Sequence, residues 1–408
     1  MRPRHDLVAG WVSHFLFYQL ILWTVAPLSA SEKLGELSEL FHASLDYYDE
    51  LQRTPEGYYR DAYLIGRAQN KRCSIAAVGV GLVALCMDDQ LGRDPDAEKK
   101  ALITIRALSK IGRDSTGFFR HFFQSDTGTS KSECSTIDTA ILVAGVLACR
   151  NHFSDPRIHH EADQLWNSID WSAALVSQDG RQLFMVMENG KGAKVTQLFN
   201  EYLILAEFIR AQQLAKTGKS QIIGINDLPS FKLDGLDIAS EPRYQALSSF
   251  ALQFPFYLSH AGATDRQYQK FCLAQARADQ RAMTKHTNSA ELWGCGAGGT
   301  PDRGYHADSF LNNPTAVVSP HIIAGFLPVY PEAKDHLLKI YRESTRRLKT
   351  PVGELLPRFS VDNPAWRAHR IEAIDYSSMI YGLAAIHPDL GMAFFQKTTK
   401  VSFITNDE

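Results

Sequence analysis

The stretch "STIDTAILVAGVLAC", residues 135–149, decides the fold class that the sequence predicts. Ser135 is a good helix N-cap, and the residues after it are apolar almost all the way round a helix. A helix on a protein surface keeps one polar face, so this pattern is typical of a helix buried on every side. Five other stretches of the same kind begin near Ser74, Asn200, Ser249, Thr315 and Asp375.

Amphipathic helices are predicted between the buried ones, for example at residues 96–111, 159–169 and 332–348. The buried helices recur about every 60 residues, and such a repeat favours a closed stack of helix pairs. We therefore expect an all-α protein in which six buried helices form an inner ring and six amphipathic helices an outer ring. This is an (α/α)6 barrel, or toroid, and residues 31–408 are expected to form it as a single domain.

The N-terminal segment has a different composition from the rest of the chain. Arg2 and Arg4 precede an apolar stretch over residues 7–30, which ends in the small residues of "APLSA". This pattern predicts that residues 1–30 are a signal peptide or an N-terminal membrane anchor. The protein is then expected to be periplasmic or secreted, and any membrane attachment is expected through this segment alone.

Charge and cysteine spacing exclude some functional classes. The 408 residues carry 43 basic and 45 acidic side chains, so no basic surface points to nucleic acid as a partner. The six cysteines show no metal-ligand spacing, and we expect mostly free thiols, no metal and no cofactor. An oligomeric state cannot be predicted from these features.

Three carboxyl groups stand at or near the starts of buried helices. Asp138 lies three residues after Ser135, so a capping box is the favoured interpretation and a chemical role the alternative. Glu133 falls outside that box, either facing the barrel mouth or solvated in a loop. Asp375 opens the last buried helix, where a cap would stand.

Glu201 is the acid with the clearest chemical interpretation. In "NEYLILAEFI", it shares a predicted helix face with apolar residues at +3, +4 and +7. An acid on the apolar side of a buried helix usually has a raised pKa, which suits a general acid. The alternative is a first-turn acid paired with an arginine. Glu207 falls on a more mixed face and needs no special explanation.

Because Glu133, Glu201 and Asp375 begin different buried helices, they are expected to converge at one end of the barrel. Convergent carboxyl groups in an aromatic cleft are what glycosidic bond cleavage requires, one to protonate the leaving oxygen and one to activate water. The aromatic residues could supply stacking surface for a sugar or equally lie in the core. The candidate substrate-binding residues are Tyr58, Phe118, Phe119, His121, Trp293 and Tyr305.

The motifs "GFFRHFF", "SECSTIDTAILVAGVL", "FNEYLILA" and "GCGAGGTPDRGY" resemble the glucoamylase-like domain, a grouping that includes glycoside hydrolase family 144, the bacterial endo-β-1,2-glucanases. The resemblance covers residues 40–390, approximately. It implies an (α/α)6 barrel, a secreted or periplasmic setting and inverting hydrolysis of β-1,2-glucan. It also implies that Glu201 is the general acid and that Glu133 is needed for activity.

The sequence departs from the family pattern at one acid. A third important carboxylate is expected three residues before Glu133, and that position is Ser130. Asp126, in the same loop, is a substitute, and Asp138 and Asp375 are alternative acids. The leading hypothesis is a glycoside hydrolase acting on an oligo- or polysaccharide, β-1,2-glucan above all. The alternatives are a transglycosylase or exo-acting enzyme on a related glucan, and a non-catalytic glycan-binding envelope protein.

Overall fold

The computed structural model describes residues 34–177, 180–198, 200–222, 224–240 and 246–401. The expected signal peptide or anchor, residues 1–30, lies outside the described residues. Within the described ranges, no helix is both long enough and apolar enough to cross a membrane. All six cysteines are buried and free, as the sequence predicts.

Helices account for most of the regular structure. In chain order the α-helices of the described ranges are α1 Leu37–Asp46, α2 Ile75–Gln90, α3 Ala97–Ala107, α4 Thr136–His152, α5 Pro156–Asn167, α6 Leu203–Thr217, α7 Phe250–Leu258, α8 His260–Thr264, α9 Arg266–Thr287, α10 Pro320–Gly325, α11 Ala333–Arg342, α12 Ala373–Ile386 and α13 Gly391–Thr398.

A helix is found at each of the six predicted positions, as α2, α4, α6, α7, α10 and α12, but the predicted burial on every side is wrong for α6. Five of them are buried over most of their residues, whereas α6 is buried along one side only. The hydroxyls of Ser74 and Ser135 cap α2 and α4 by accepting hydrogen bonds from Ala77 N and Asp138 N. The three predicted amphipathic helices are confirmed as α3, α5 and α11.

Neighbouring buried helices touch through their backbones where glycine removes the side chain. A Cβ on Gly145 of α4 would stand 2.1 Å from the carbonyl oxygen of Gly79 in α2. A Cβ on Gly382 of α12 would similarly stand 1.8 Å from the Ala324 oxygen in α10. Between α7 and α10, Tyr257 donates a hydrogen bond of 2.7 Å to Gly325 O, and α12 also contacts α2.

Short strands, which the all-α prediction did not include, pair in small antiparallel sheets. In the described ranges they are β1 Ala62–Leu64, β2 Arg72–Ser74, β3 Phe122–Gln124, β4 Cys134–Ser135, β5 Gln182–Glu188, β6 Lys191–Gln197, β7 Ser230–Leu233, β8 Leu236–Ala239, β9 Ala297–Thr300, β10 Gly304–Ala307, β11 Val317–Val318, β12 Leu348–Thr350, β13 Gly353–Leu355, β14 Phe359–Ser360 and β15 Arg370–Glu372.

Four of these strands lie directly before a buried helix, so the sheets gather where those helices begin. They are β2 before α2, β4 before α4, β11 before α10 and β15 before α12. Their pairings are β2 with β3, β4 with β5 (which also pairs with β6), β11 with β14, and β15 with β1. We call this end of the molecule the mouth, defined by the first residues of α2, α4, α6, α10 and α12 and the strands that precede them.

Candidate active site

Asp375 is a buried acid at the mouth, in the first turn of α12. Its Oδ1 accepts a hydrogen bond of 3.3 Å from the Tyr305 hydroxyl, and its Oδ2 is buried with no hydrogen-bond partner among the described residues. Burial, together with the nearby Glu372 carboxylate, raises the pKa of Asp375 to about 8 against the opposing effect of Arg358. Asp375 is therefore a neutral carboxylic acid at pH 7.

The expected capping role of Asp375 is wrong. Glu372 occupies the N-cap position of α12, and Asp375 follows it within the first turn. The first amide of the helix, Ala373 N, instead donates to the backbone oxygen of Asp61. The carboxyl group of Asp375 is consequently free of backbone capping and faces Tyr305.

Asp138 sits at the start of α4, and only half of the predicted capping box forms. The Ser135 hydroxyl accepts from Asp138 N at 3.2 Å, but Ser135 N donates to Phe119 O, so the Asp138 carboxylate does not cap. That carboxylate instead lies 3.4 Å from Nε2 of His121. The side chain is thus directed to an ionisable partner at the mouth.

His121 is held by aromatic stacking. Its ring lies 3.6 Å from the ring of Phe122 in a stacked arrangement, and the Arg72 guanidinium lies 3.6 Å from the centre of the same Phe122 ring. Arg72 also approaches the Asp61 carboxylate at 3.5 Å. A continuous series of contacts therefore runs from Asp138 through His121, Phe122 and Arg72 to Asp61.

Asp61 links the two sides of the mouth electrostatically. Burial raises its pKa, whereas Arg72 and Arg370 are the main groups that lower it, and the Asp138 charge adds to the rise. Asp61 is in turn one of the charges that raise the pKa of Asp375. The carboxyl groups at the starts of α4 and α12 therefore share one electrostatic environment.

Glu201 lies in the turn before α6, because the helix begins at Leu203. The prediction that Glu201 stands on the apolar face of the helix is therefore wrong, because Glu201 precedes the helix. The residue is half-buried. Glu201 is still close to the other acids. Burial raises the pKa of the neighbouring Tyr202 phenol, and the charges of Glu201 and Asp138 both add to that rise.

Glu133 is half-buried immediately before β4. Its backbone oxygen accepts a hydrogen bond of 2.9 Å from His121 N. For its carboxylate, the described part of the chain supplies neither a hydrogen bond nor an ion pair. Glu133 is thus fixed by its backbone next to His121 while its side chain is left without a structural partner.

The contacts of Ser130 and Asp126 do not direct a carboxylate from their loop to the mouth. The Ser130 hydroxyl is 2.9 Å from that of Ser132 and accepts from Ser132 N at 3.0 Å. Asp126 is exposed and forms an ion pair of 2.6 Å with Lys71. A surface lysine therefore already engages the acid that was expected to replace the missing one.

Four of the six predicted substrate-binding residues are wrong, because their rings are fully buried and cannot stack on a sugar. The Tyr58 hydroxyl donates to Ala107 O at 2.7 Å, and the Trp293 indole donates to His336 at 3.1 Å. Phe118 packs edge-on against Trp171, and Phe119 lies under the Arg113 guanidinium.

Two predicted residues do reach the mouth, His121 and Tyr305. The Tyr305 hydroxyl points inward to Asp375, whereas 52% of the residue remains exposed. Its ring is therefore available as a stacking surface for a sugar.

Several residues of the mouth were missed by the sequence analysis, namely Asp61, Asp308, His321, Arg358 and Glu372. Buried Arg358 pairs with buried Asp308, and burial together with Arg358 lowers the pKa of His321 to about 3, so its ring is neutral. Four of the five missed residues lie outside the predicted helices, and His321 lies within an apolar stretch that was read as core. Only the tertiary fold brings the five together.

Glu207 was also underestimated, but its role is structural. Its two carboxylate oxygens accept hydrogen bonds of 3.1 Å from His260 N and Ala261 N at the start of α8. Burial raises its pKa despite these bonds. The acid caps a neighbouring helix, and its contacts leave it outside the mouth.

Comparison with known proteins gives a likeness in fold. No protein family and no curated protein matches the sequence. Among solved structures, a candidate glucoamylase from Bacteroides uniformis aligns with a TM-score of 0.76 at 18% identity, over 93% of this chain and 96% of its own. An endo-β-1,2-glucanase from Chitinophaga pinensis, in complex with sophorotriose and glucose, aligns with a TM-score of 0.75 at 18% identity, over 90% and 95%.

A β-1,2-glucanase from Parabacteroides distasonis aligns with a TM-score of 0.71 at 15% identity, over 91% of this chain and 60% of that one. The chain thus has the fold of these glucanase and glucoamylase-like structures. At such low identity the likeness establishes the fold, and the activity has to be argued from the residues of the mouth.

Proposed function

We propose that the protein is a glycoside hydrolase that cleaves a β-glucan, with β-1,2-glucan as its substrate. The observation that carries this proposal is the gathering of Asp138, Asp375 and Glu201 at the mouth, beside the exposed ring of Tyr305. Carboxyl groups next to an aromatic surface are what glycosidic bond cleavage needs, one to donate a proton and one to activate water. The β-1,2-glucanases of the same fold support the choice of linkage.

We further infer that the six buried helices close into the inner ring of an (α/α)6 barrel. Successive contacts support this closure, from α2 to α4, α4 to α6, α6 to α7, α7 to α10, α10 to α12 and back to α2. We assign six further helices to the outer ring, and all of them except α1 are buried on one side only: α1, α3, α5, α9, α11 and α13.

In the proposed reaction, Glu201 is the general acid and Glu133 orients or activates water. The acid transfers its proton to the glycosidic oxygen as the bond from that oxygen to the anomeric carbon breaks. Water attacks the anomeric carbon from the opposite side and loses a proton to the second carboxylate, which inverts the configuration. Asp375, protonated at neutral pH, is the alternative proton donor.

A second candidate function is glycan binding without cleavage, or a transglycosylase or exo-acting reaction on a related glucan. The observation that favours it is the loop of Ser130, where hydroxyls bond to each other and Asp126 is engaged by Lys71. If this loop supplies no carboxylate, water activation depends on Glu133 alone.

We also propose that the protein is exported to the periplasm or secreted. The support is the pattern of residues 1–30, in which basic residues precede an apolar stretch and a small-residue end. Fractionation of the producing cells, with determination of the N-terminus of the mature protein, tests this proposal. A protein that stays in the cytoplasm with its first residues intact would contradict it.

The test of the activity is product analysis on purified β-1,2-glucan. We expect the wild type to release short β-1,2-linked oligosaccharides with inverted anomeric configuration. Glu201→Gln and Glu133→Gln remove one ionisable group each at nearly constant shape, so each is expected to lower kcat by about a hundredfold or more.

Glu207→Gln is the matched control. Glu207 lies in α6, the helix that follows Glu201, but its carboxylate caps α8. It is expected to keep its activity if the protein is folded. Full activity of both Glu201→Gln and Glu133→Gln would refute the assignment of the acids. Tight oligosaccharide binding by a wild type that cleaves no glucan would favour the second candidate.

A further inference from the structure

A β-hairpin formed by β9 and β10, residues 297–307, places Tyr305 over Asp375. The strands pair with Tyr305 opposite Gly299 and His306 opposite Gly298. The hydroxyl of Tyr305 donates a hydrogen bond from this hairpin to Asp375 in the first turn of α12. The position of the hairpin therefore decides whether Tyr305 lies on the carboxyl group of Asp375.

Arg358 binds β9, the first strand of this hairpin, through a buried guanidinium group. Only 3% of its side chain is exposed. Its Nη1 donates to Gly299 O at 2.9 Å, its Nη2 to Gly296 O at 3.2 Å, and its Nε to the Ser319 hydroxyl at 3.0 Å. Arg358 thus joins the hairpin to the residue that precedes α10.

Asp308 binds the second half of the hairpin. Its carboxylate pairs with Arg358 and accepts from His306 at 3.0 Å between Oδ1 and Nδ1. Its backbone amide donates to Gly296 O at 3.0 Å. One buried ion pair therefore fastens both ends of the hairpin.

The space around Arg358 is shaped for its guanidinium. Gly298 has a φ of +135°, and a Cβ at that position would stand 2.8 Å from Nη1 of Arg358. A buried ion pair gives little net stability compared with a well-packed apolar pair, since both charges lose their hydration. An ion pair here is thus better explained by the fixed geometry of its hydrogen bonds than by stability alone.

We propose that the Arg358–Asp308 pair is a positioning element of the candidate site, which fixes the hairpin of residues 297–307 so that Tyr305 stays on Asp375 and presents its ring to the substrate. Neither Arg358 nor Asp308 needs to touch the sugar for this role. The kinetic effect of the pair rests on the proposed function, whereas its restraint of the hairpin does not.

Hydrogen exchange measured by mass spectrometry tests the restraint on the full-length protein. We expect the amides of residues 297–307 to exchange about tenfold faster or more in Arg358→Lys and in Asp308→Asn than in the wild type. Lysine keeps the charge but cannot make the four contacts of the guanidinium, and asparagine keeps the shape but not the charge.

Arg342→Lys is the matched control, since Arg342 also pairs with a carboxylate, that of Glu36, but on the surface. It is expected to leave exchange in the hairpin unchanged. If Arg358→Lys or Asp308→Asn does not fold, Ser319→Ala is measured in its place. This variant removes one hydrogen bond of Arg358 and keeps both charges. Unchanged exchange in the folded variants would overturn the proposal whether or not the protein cleaves a glucan.

A double-mutant cycle tests the kinetic role on β-1,2-glucan. We expect Arg358→Lys and Tyr305→Ala each to raise KM, and the double variant to be no worse than Tyr305→Ala, because Arg358 acts through Tyr305. Two effects that multiply would show that Arg358 acts by another route and would contradict the positioning role. A wild type inactive on every glucan would refute the proposed function, and the exchange experiment would then decide the positioning role by itself.

Discussion

At the scale of single residues, the environment of a carboxyl group decides its chemistry more than its place in a sequence pattern does. Asp375 and Asp138 occupy equivalent positions in the first turns of α12 and α4. Burial beside Glu372 keeps Asp375 protonated at pH 7, whereas Asp138 lies half-buried next to His121. Two acids from similar motifs thus have different partners, a phenol for Asp375 and an imidazole for Asp138.

The raised pKa of Asp375 predicts a particular dependence of stability on pH. The pKa is about 8 in the folded protein and has an ordinary value of 3.8, so the folded state holds this proton more tightly than the unfolded state. The stability associated with it is complete at low pH and is lost as the pH rises from about 4 to about 8.

Urea unfolding at pH 5, 7 and 9 measures this effect. Asp375→Asn removes the titration, so the free energy of unfolding is expected to fall less for the variant than for the wild type between pH 5 and 9. The expected difference is on the order of 2–4 kcal/mol. Asp126→Asn is the control, because Lys71 lowers the pKa of Asp126 and its titration lies below this range. Parallel curves for the wild type and Asp375→Asn would contradict the assignment.

The sequence could identify some acids of the mouth, but neither the remaining acids nor the partners. Glu133, Glu201 and Asp375 stand out because an acid beside an apolar helix is unusual. Arg358 and Asp308 show no such contrast, since their meaning depends on a hairpin and a loop that are distant in sequence. Tyr58 and Trp293 were misplaced for a related reason, because an aromatic side chain suits a core and a sugar site equally well.

At the scale of helices and strands, the contact between α2 and α4 is made by main-chain atoms. Gly79 and Gly145 leave the backbones of the two helices in direct contact. Protein interiors are packed too densely to absorb an additional methyl group without displacement. The separation of these helices is therefore set by two glycines.

Gly145→Ala tests this contact. The new methyl group would stand 2.1 Å from Gly79 O, so the helices have to separate. We expect the free energy of unfolding to fall by about 1–3 kcal/mol, although alanine is the better helix former. Chemical denaturation measures the change. Gly299→Ala, where no atom lies within 4 Å of the added Cβ, is expected to have a small effect, and equal losses in the two variants would contradict the packing argument.

Helices were predictable at this scale and strands were not, for a physical reason. A buried helix makes its hydrogen bonds within itself, so its apolar pattern is present in one continuous stretch of sequence. Strands such as β1 and β15 have three residues each and pair across the whole chain, Ala62 with Glu372 and Leu64 with Arg370. Neither the short pattern nor the distant partner can be recognised locally.

At the scale of the whole molecule, the first and last parts of the described chain are fastened to each other. Besides the pairing of β1 with β15, Tyr47 donates a hydrogen bond of 2.9 Å to Ile371 O, and Tyr48 donates one of 2.5 Å to Ala373 O. Both hydroxyls are buried. Since these contacts join the residues that directly follow α1 to the start of α12, their loss should be felt throughout the molecule.

Tyr47→Phe tests this coupling. Without the hydroxyl, Ile371 O and the side chain of Gln52 lose a buried partner, and the expected loss of stability is about 1–3 kcal/mol. The unfolding midpoints from tryptophan fluorescence and from far-ultraviolet circular dichroism are expected to shift together. The control is Tyr63→Phe, on a half-buried ring 6.4 Å from that of Tyr47. A shift seen by one probe alone would show that the two parts unfold separately.

The glycine contact between α2 and α4 also limits how this protein can evolve. Where side chains set the spacing of two helices, exchanging one for another adjusts the spacing in small steps. Gly79 and Gly145 offer no smaller residue to change to, and any larger one forces the backbones apart. Changes in the shape of the mouth are therefore directed to the hairpins around it, which can lengthen or shorten while the helical frame keeps its width.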